Sequence, residues 1–128
     1  MIITERTRNI VGWIFASLVV LMMLASAADK IIGSEHALQM GGSFGLSKEV
    51  YRALGIIEAA SALLFLFPRT GLLGTLLLAS YLGGAMATHL QHQLSIFFPA
   101  AIETFVCLTA IIRYPEVTER ILSKRVSN

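Results

Sequence analysis

Charge is what this sequence has least of. Asp, Glu, Lys and Arg make up 14% of its 128 residues, against about 25% in an ordinary soluble domain. So few charges cannot cover the surface of a water-soluble fold of this size, and lipid must supply the missing solvent. The formal charge is only +2. Lys and Arg stand mostly between or beyond the apolar runs, which gives no reason to expect a nucleic-acid partner. Cysteine is nearly absent as well. Cys107 is alone and lies inside an apolar run, so a disulfide within the chain and dithiol redox chemistry are excluded. A cysteine in that setting is ordinarily a small apolar packing residue.

What the chain has in quantity is apolar side chains, 55% of the residues with a mean hydropathy of +0.73. They fall into four runs. The first, Ile10 to Ala28, is long enough to cross a hydrocarbon core of about 30 Å and is followed by Asp29 and Lys30. Arg6 and Arg8 ahead of it and Ala25-Ser26-Ala27 at its end also resemble a signal peptide with its cleavage site; a retained first span is the expectation here. A Gly-rich polar connector, Ser34 to Glu49, then covers one mouth of the fold, with Met40 and Phe44 dipping into the membrane interface. Ser47 caps a second helix, which runs to Phe67 and contains Glu58. Pro68-Arg69-Thr70-Gly71 is a tight turn that forces two helices antiparallel. The third run ends at His89. The fourth reaches Ile112, with Pro99 in its first turn, where a missing N–H costs little, and Glu103 further in.

These features predict a single all-α membrane domain over residues 1–128, an integral antiparallel four-helix transmembrane bundle. Its helices span about 10–32, 50–67, 71–89 and 95–113, with a basic amphipathic tail at 115–128. In that tail Val117, Ile121 and Leu122 lie near one face, with Arg120, Lys124 and Arg125 largely elsewhere. The tail either lies on the membrane surface or is a solvated end. With four spans, one side of the membrane holds Arg6, Arg8, Arg69, Arg113, Arg120, Lys124 and Arg125. The other holds Lys30, Lys48 and Arg52. The excess places both termini in the cytoplasm of a multi-pass cell-membrane protein. In the third run Ser80, Gly84 and Thr88, and likewise Ala79, Gly83 and Ala87, repeat at four-residue spacing. Small residues at that spacing allow backbones to approach closely, whether the partner is a helix of this chain or another subunit.

Ionisable residues inside a span are costly and mark candidate sites. Glu58 and Glu103 both come to a depth of roughly 12–14 Å at 1.5 Å rise per residue. Tyr81, counted back from His89, reaches the same level. Ser26, Asp29 and Lys30 share one face at the outer end of the first helix. The expectation is a polar pocket open to the outer side, with Lys30, Asp29, Arg52 and His89 at its mouth and Glu58, Tyr81 and Glu103 at its floor. The competing reading is structural. There Glu58 bonds a neighbouring helix, Lys30 snorkels to the interface, and His89 and His92 are ordinary interfacial histidines. The two histidines lack the further ligands that a metal site needs. Phe97, Phe98, Tyr51 and Tyr114 suit an interfacial aromatic belt.

The stretch from Leu54 to Leu90 resembles the DoxX-like family of small membrane proteins. The likeness rests on Gly55 and Glu58, on Pro68, Arg69 and Gly74, on Thr88 and His89, and on Lys30 closing the first helix. It extends from about Gly12 to Arg113. The resemblance implies a four-helix membrane bundle. The family's founding member is a subunit of a membrane thiosulfate:quinone oxidoreductase; other members accompany oxidative-stress complexes, and a distant branch assists receptor assembly. The sequence has no haem, flavin or iron–sulfur ligand pattern, so no intrinsic cofactor is expected and redox chemistry would draw on a partner or a diffusible quinone.

Three functions are in competition. One is a redox-associated subunit holding a quinone or similar lipophilic molecule, with Glu58 or His89 moving protons. Another is a non-enzymatic assembly factor or scaffold for a membrane protein partner. The third is an oligomeric transporter of a small solute or proton. The topology is directly testable: reporters fused at Asn128 and within residues 34–45 should report opposite sides of the membrane, and the same side for both would overturn four spans.

Overall fold

The computed structural model describes residues 4–122, which form six helices and no strand. They are α1 (Glu5–Ile32), α2 (Glu35–Ser43), α3 (Lys48–Leu66), α4 (Gly71–Gln91), α5 (Phe97–Arg113) and α6 (Pro115–Ile121). Lys124, Arg125 and Val126 of the expected basic tail lie outside the described residues.

Local chemistry sets the ends. The Thr4, Ser34 and Ser47 hydroxyls accept from the backbone N–H three residues on, capping α1, α2 and α3. Gly33, with φ of 73°, ends α1 in the left-handed region, and its N–H and that of Ser34 both return to the Asp29 carbonyl. Ser61, Thr75, Ser80, Thr88, Thr104 and Thr109 each donate to the carbonyl four residues back. These six hydroxyls are thus paired within their own helices in an apolar setting.

α1 and α4, 28 and 21 residues long, have the length and hydropathy to cross a membrane. α3 carries Glu49, Arg52 and Glu58 and falls short on charge. α5 has 17 residues and reaches that standard only together with α6, from which it is bent by 105°. The connector expected between the first two spans is largely the helix α2, held by its Ser34 cap.

α1 packs against α3 and α5, and α4 packs against α3 and α5, so the four long helices form a ring of neighbours. Ala16, Val19, Val20, Met23, Ala62, Phe65, Leu78, Leu82 and Val106 fill its interior. Outward, Leu21, Ile56, Leu76 and many other large apolar side chains are exposed, as lipid contact requires. Cys107, expected to pack, is exposed among them.

The closest helix approaches are not at the small-residue stripe of α4. A Cβ on Gly83 or Gly84 would meet nothing within 4 Å. It is Gly74 that lies against backbone, its added Cβ striking Phe65 and Leu64 of α3. Gly55 lies as tightly against α1, where a Cβ would come within 2.9 Å of the Lys30 Cβ and 3.0 Å of the Ala27 carbonyl oxygen. At the Phe65 end the ring is clamped by Arg113. Its Nη1 and Nη2 donate to the Phe65 and Leu66 carbonyls at 2.7 and 2.8 Å, satisfying the end of α3. The rings of Trp13, Phe65 and Tyr114 surround the guanidinium at 5.5–5.8 Å. Tyr114 Oη donates to the Pro68 carbonyl, tying the α3–α4 turn to the end of α5.

Arg113→Ala should therefore lower stability in mild detergent by about 2–3 kcal/mol, the scale of two charge-assisted hydrogen bonds. Arg113→Lys, which cannot fork onto two carbonyls, should recover only part of it. Arg69→Ala, at an exposed position, should stay within about 0.5 kcal/mol. Thermal unfolding of the three variants measures this; equal losses at Arg69 and Arg113 would refute the clamp.

Candidate functional site

The packed interior occupies the half of the ring nearer Phe65. Toward the other end lies a cavity of about 750 Å³, lined by residues of α1 to α5 and closed on one side by Met40 of α2 and by Phe44, which directly follows α2. Met22 and Ala25 of α1 and Phe98 of α5 line it and are themselves exposed, so it is open between those two helices.

Its polar wall is built on Gly55. Because Gly55 admits α1, and because Glu58 follows one turn later on the same face, the Glu58 carboxylate meets Lys30. Nζ of Lys30 donates to Glu58 Oε2 at 2.8 Å and to Ser26 Oγ at 2.6 Å. Tyr81 Oη donates to the same Oε2 at 3.1 Å from α4. The Lys30 ammonium also stands 5.5 Å from the centre of the Tyr51 ring. Glu58 is only 2% exposed and the Lys30 side chain 12%. A buried carboxylate is tolerable on these terms, since it has an opposite charge and a second donor.

Across the cavity His89 Nδ1 donates to the Ala85 carbonyl at 2.7 Å, and Phe44 packs on the imidazole with centroids 4.9 Å apart. His92 makes the equivalent bond to the Thr88 carbonyl. At the α1–α2 corner, Asp29 accepts from Ser34 Oγ and pairs with His36 Nδ1 at 3.1 Å, tying the start of α2 to α1.

Of the residues singled out from the sequence, Lys30, Glu58, Tyr81, Asp29 and His89 line this one cavity. Arg52 and Glu103 do not. Arg52 is exposed and donates Nε to the Ile31 carbonyl at 3.1 Å, serving the end of α1. Glu103 is half-buried on α5, where Pro99 and Ile102, three residues apart, are the ones that reach the cavity. Depth along a helix fixes the level of a residue but not its direction, and each step turns the side chain by about 100°.

Ser26, His36, Phe44 and Tyr51 were not assigned to the pocket from sequence. Phe44 was placed at the membrane interface, yet it is 9% exposed and covers His89. Tyr51 was placed in an aromatic belt. The signal that could have found it is its spacing: Tyr51, Leu54 and Glu58 are i, i+3 and i+7 and share one face of α3.

No curated protein and no solved structure was found to match the chain. The DoxX-like family matches it over residues 14–112, a stretch that holds Lys30, Glu58, Tyr81 and His89 and so the whole polar wall of the cavity. With that much of its length matched, the chain belongs to the DoxX-like family.

Proposed function

We propose that the protein is a redox-associated membrane subunit that holds a quinone or similar lipophilic molecule in the cavity between its helices. The observation that carries this reading is the character of the cavity. It has about 750 Å³, within the range of about 300–1,000 Å³ usual for small-molecule sites. Met22, Met23, Leu54, Leu82 and Ile102 make most of it apolar, and a fixed polar group, Lys30–Glu58–Tyr81, lies on one wall. An apolar hollow with a few convergent polar groups suits a molecule with a polar head and an apolar body. The opening between α1 and α5 suits arrival from the acyl-chain region rather than from water.

The reading takes α1, α3, α4 and α5 as four antiparallel spans in the cell membrane with both termini cytoplasmic. The cavity then lies in the outer half. Glu58 and Lys30, a switchable acid beside a donor, are the groups that would exchange protons with a bound head group.

A second reading, an assembly factor or scaffold, is favoured by the outer face of α4. Gly83 has open space where a Cβ would be, and Ala87 four residues on is exposed. Another helix could come close there.

Mass spectrometry of lipophiles that copurify in mild detergent tests the first reading. The wild-type chain should retain a lipophile of this class. The paired variant Lys30→Met/Glu58→Gln, which removes both charges together, should retain at least about tenfold less at unchanged helix content, the loss expected for about 1.4 kcal/mol. Equal retention by the two, or none by either, would remove the support for a bound molecule.

A further inference from the structure

The cavity's polar wall has an imbalance of donors and acceptors. Two of the three Lys30 Nζ hydrogens and the Tyr81 hydroxyl hydrogen are already engaged within the protein. Lys30 Nζ gives hydrogens to Ser26 Oγ and Glu58 Oε2 and faces the Tyr51 ring, and Tyr81 Oη gives its hydrogen to Glu58 Oε2. Both of those bonds to the carboxylate fall on one oxygen. Glu58 Oε1 accepts from no side chain or backbone group among the described residues, and it is not among their sealed-off unpaired atoms. It is therefore a bare acceptor on a residue that is 2% exposed and lines the cavity.

A second acceptor stands on the α4 side. A carbonyl can only accept, so the bond from His89 Nδ1 to Ala85 fixes the ring hydrogen on Nδ1. In the neutral imidazole Nε2 is then left with its lone pair. The other free polar groups of the wall, the Ser26 and Tyr51 hydroxyls, can play either part.

From this we infer that the site selects a ligand carrying a hydroxyl donor, a lipophilic phenol, hydroquinone or alcohol, over the carbonyl or ether form of the same skeleton. The inference deepens the binding function proposed above and rests on it. An O–H directed at Glu58 Oε1 satisfies a buried carboxylate oxygen. A carbonyl or ether oxygen in the same place would set two acceptors against each other and leave that oxygen without a partner. Discrimination by a missing donor at a buried acceptor is large compared with discrimination by a missing methylene. For a quinone couple, the reduced, dihydroxy form would be the one held, with one hydroxyl toward Glu58 and the other able to reach His89 or a wall hydroxyl. The couple would be easier to reduce in the site than in the bilayer, because binding favours the reduced form.

A matched pair of probes separates this inference from the reading beneath it. The full chain in lipid nanodiscs is titrated with a para-decyl phenol and with its methyl ether, which share shape and apolar body and differ in the donor. Wild-type protein should bind the phenol at least about tenfold more tightly, the scale of one unsatisfied buried acceptor. Glu58→Gln, whose amide offers a hydrogen to the ether oxygen, should bring the two affinities to within about threefold of each other. Because that variant leaves Lys30 without its counter-charge, the paired variant Lys30→Met/Glu58→Gln, which removes both charges together, provides a second arm and should narrow the ratio likewise. Equal binding of phenol and ether by the wild type would overturn the donor requirement while leaving a binding cavity in place. A preference that persists unchanged in both variants would overturn it too. Failure of both probes to bind would overturn the cavity reading and this inference together.

Discussion

A side chain at position 55 would meet the Lys30 Cβ at 2.9 Å and the Ala27 carbonyl oxygen at 3.0 Å. With glycine there, α1 lies directly on α3, and the Lys30 ammonium can extend along α3 to Glu58. Without that approach the carboxylate would be buried and unpaired, at a cost of several kcal/mol in a low-dielectric setting. The remainder of the site depends on the same contact. Tyr81 completes the coordination of Glu58 Oε2, Ser26 takes a second hydrogen of Lys30, and Tyr51 offers its ring to the cation. The pairing Gly-x-x-Glu thus has a physical content: the glycine sets the distance between two helices, and the glutamate one turn on uses that distance.

The two ends of the ring are built on opposite principles. At the Phe65 end every close approach is filled. Gly74 takes the Phe65 backbone, a Cβ on Gly12 would come within 2.8 Å of the Arg113 side chain, and Gly71 lies under the Tyr114 hydroxyl. Arg113 then ties α3 and α5 together through two carbonyls. At the Lys30 end α5 begins only at Phe97, with the chain from His92 to Ile96 non-helical. Phe15 still meets Phe105 at 5.1 Å, but further along α1 Met22, Ala25 and Asp29 line open space. A polar network spans that open half where apolar packing does not.

Much of this was legible from residue order. Burial of Glu58 followed from the cost of exposing an ionisable group to lipid. Counting rises along the runs put Glu58 and Tyr81 at one level, and they meet at Glu58 Oε2; Lys30, expected at the mouth, reaches the same oxygen. The helix caps at Ser34 and Ser47 are local chemistry, although Gly41 and Gly42 weaken the helical signal of the segment that follows Ser34. The failures were of direction. Arg52 and Glu103 have the right depth, but a level does not say which way a side chain turns. The stripe of small residues on α4 marks a face without naming its neighbour; within this chain the close helix contacts are at Gly55 and Gly74 instead. Phe44 was unreadable because it depends on α2 folding back over His89.

The arrangement of Glu58 bears on what the cavity can do. Lys30 and Tyr81 both address Oε2, so the carboxylate is held in place by bonds on one side while its other oxygen stays available. A group fixed in this way needs little reorganisation when a ligand arrives, which is the condition under which a buried polar contact discriminates best. Were both oxygens bonded within the protein, the trio would be adequately explained as a means of holding three helices together, and the cavity beside it would be a packing gap. Were neither bonded, the charge would be too costly to keep at this depth. A salt bridge that neutralises the carboxylate but occupies only one of its oxygens meets both demands. It lets an acidic residue persist between apolar helices and leaves one directional acceptor facing a space large enough for a ligand.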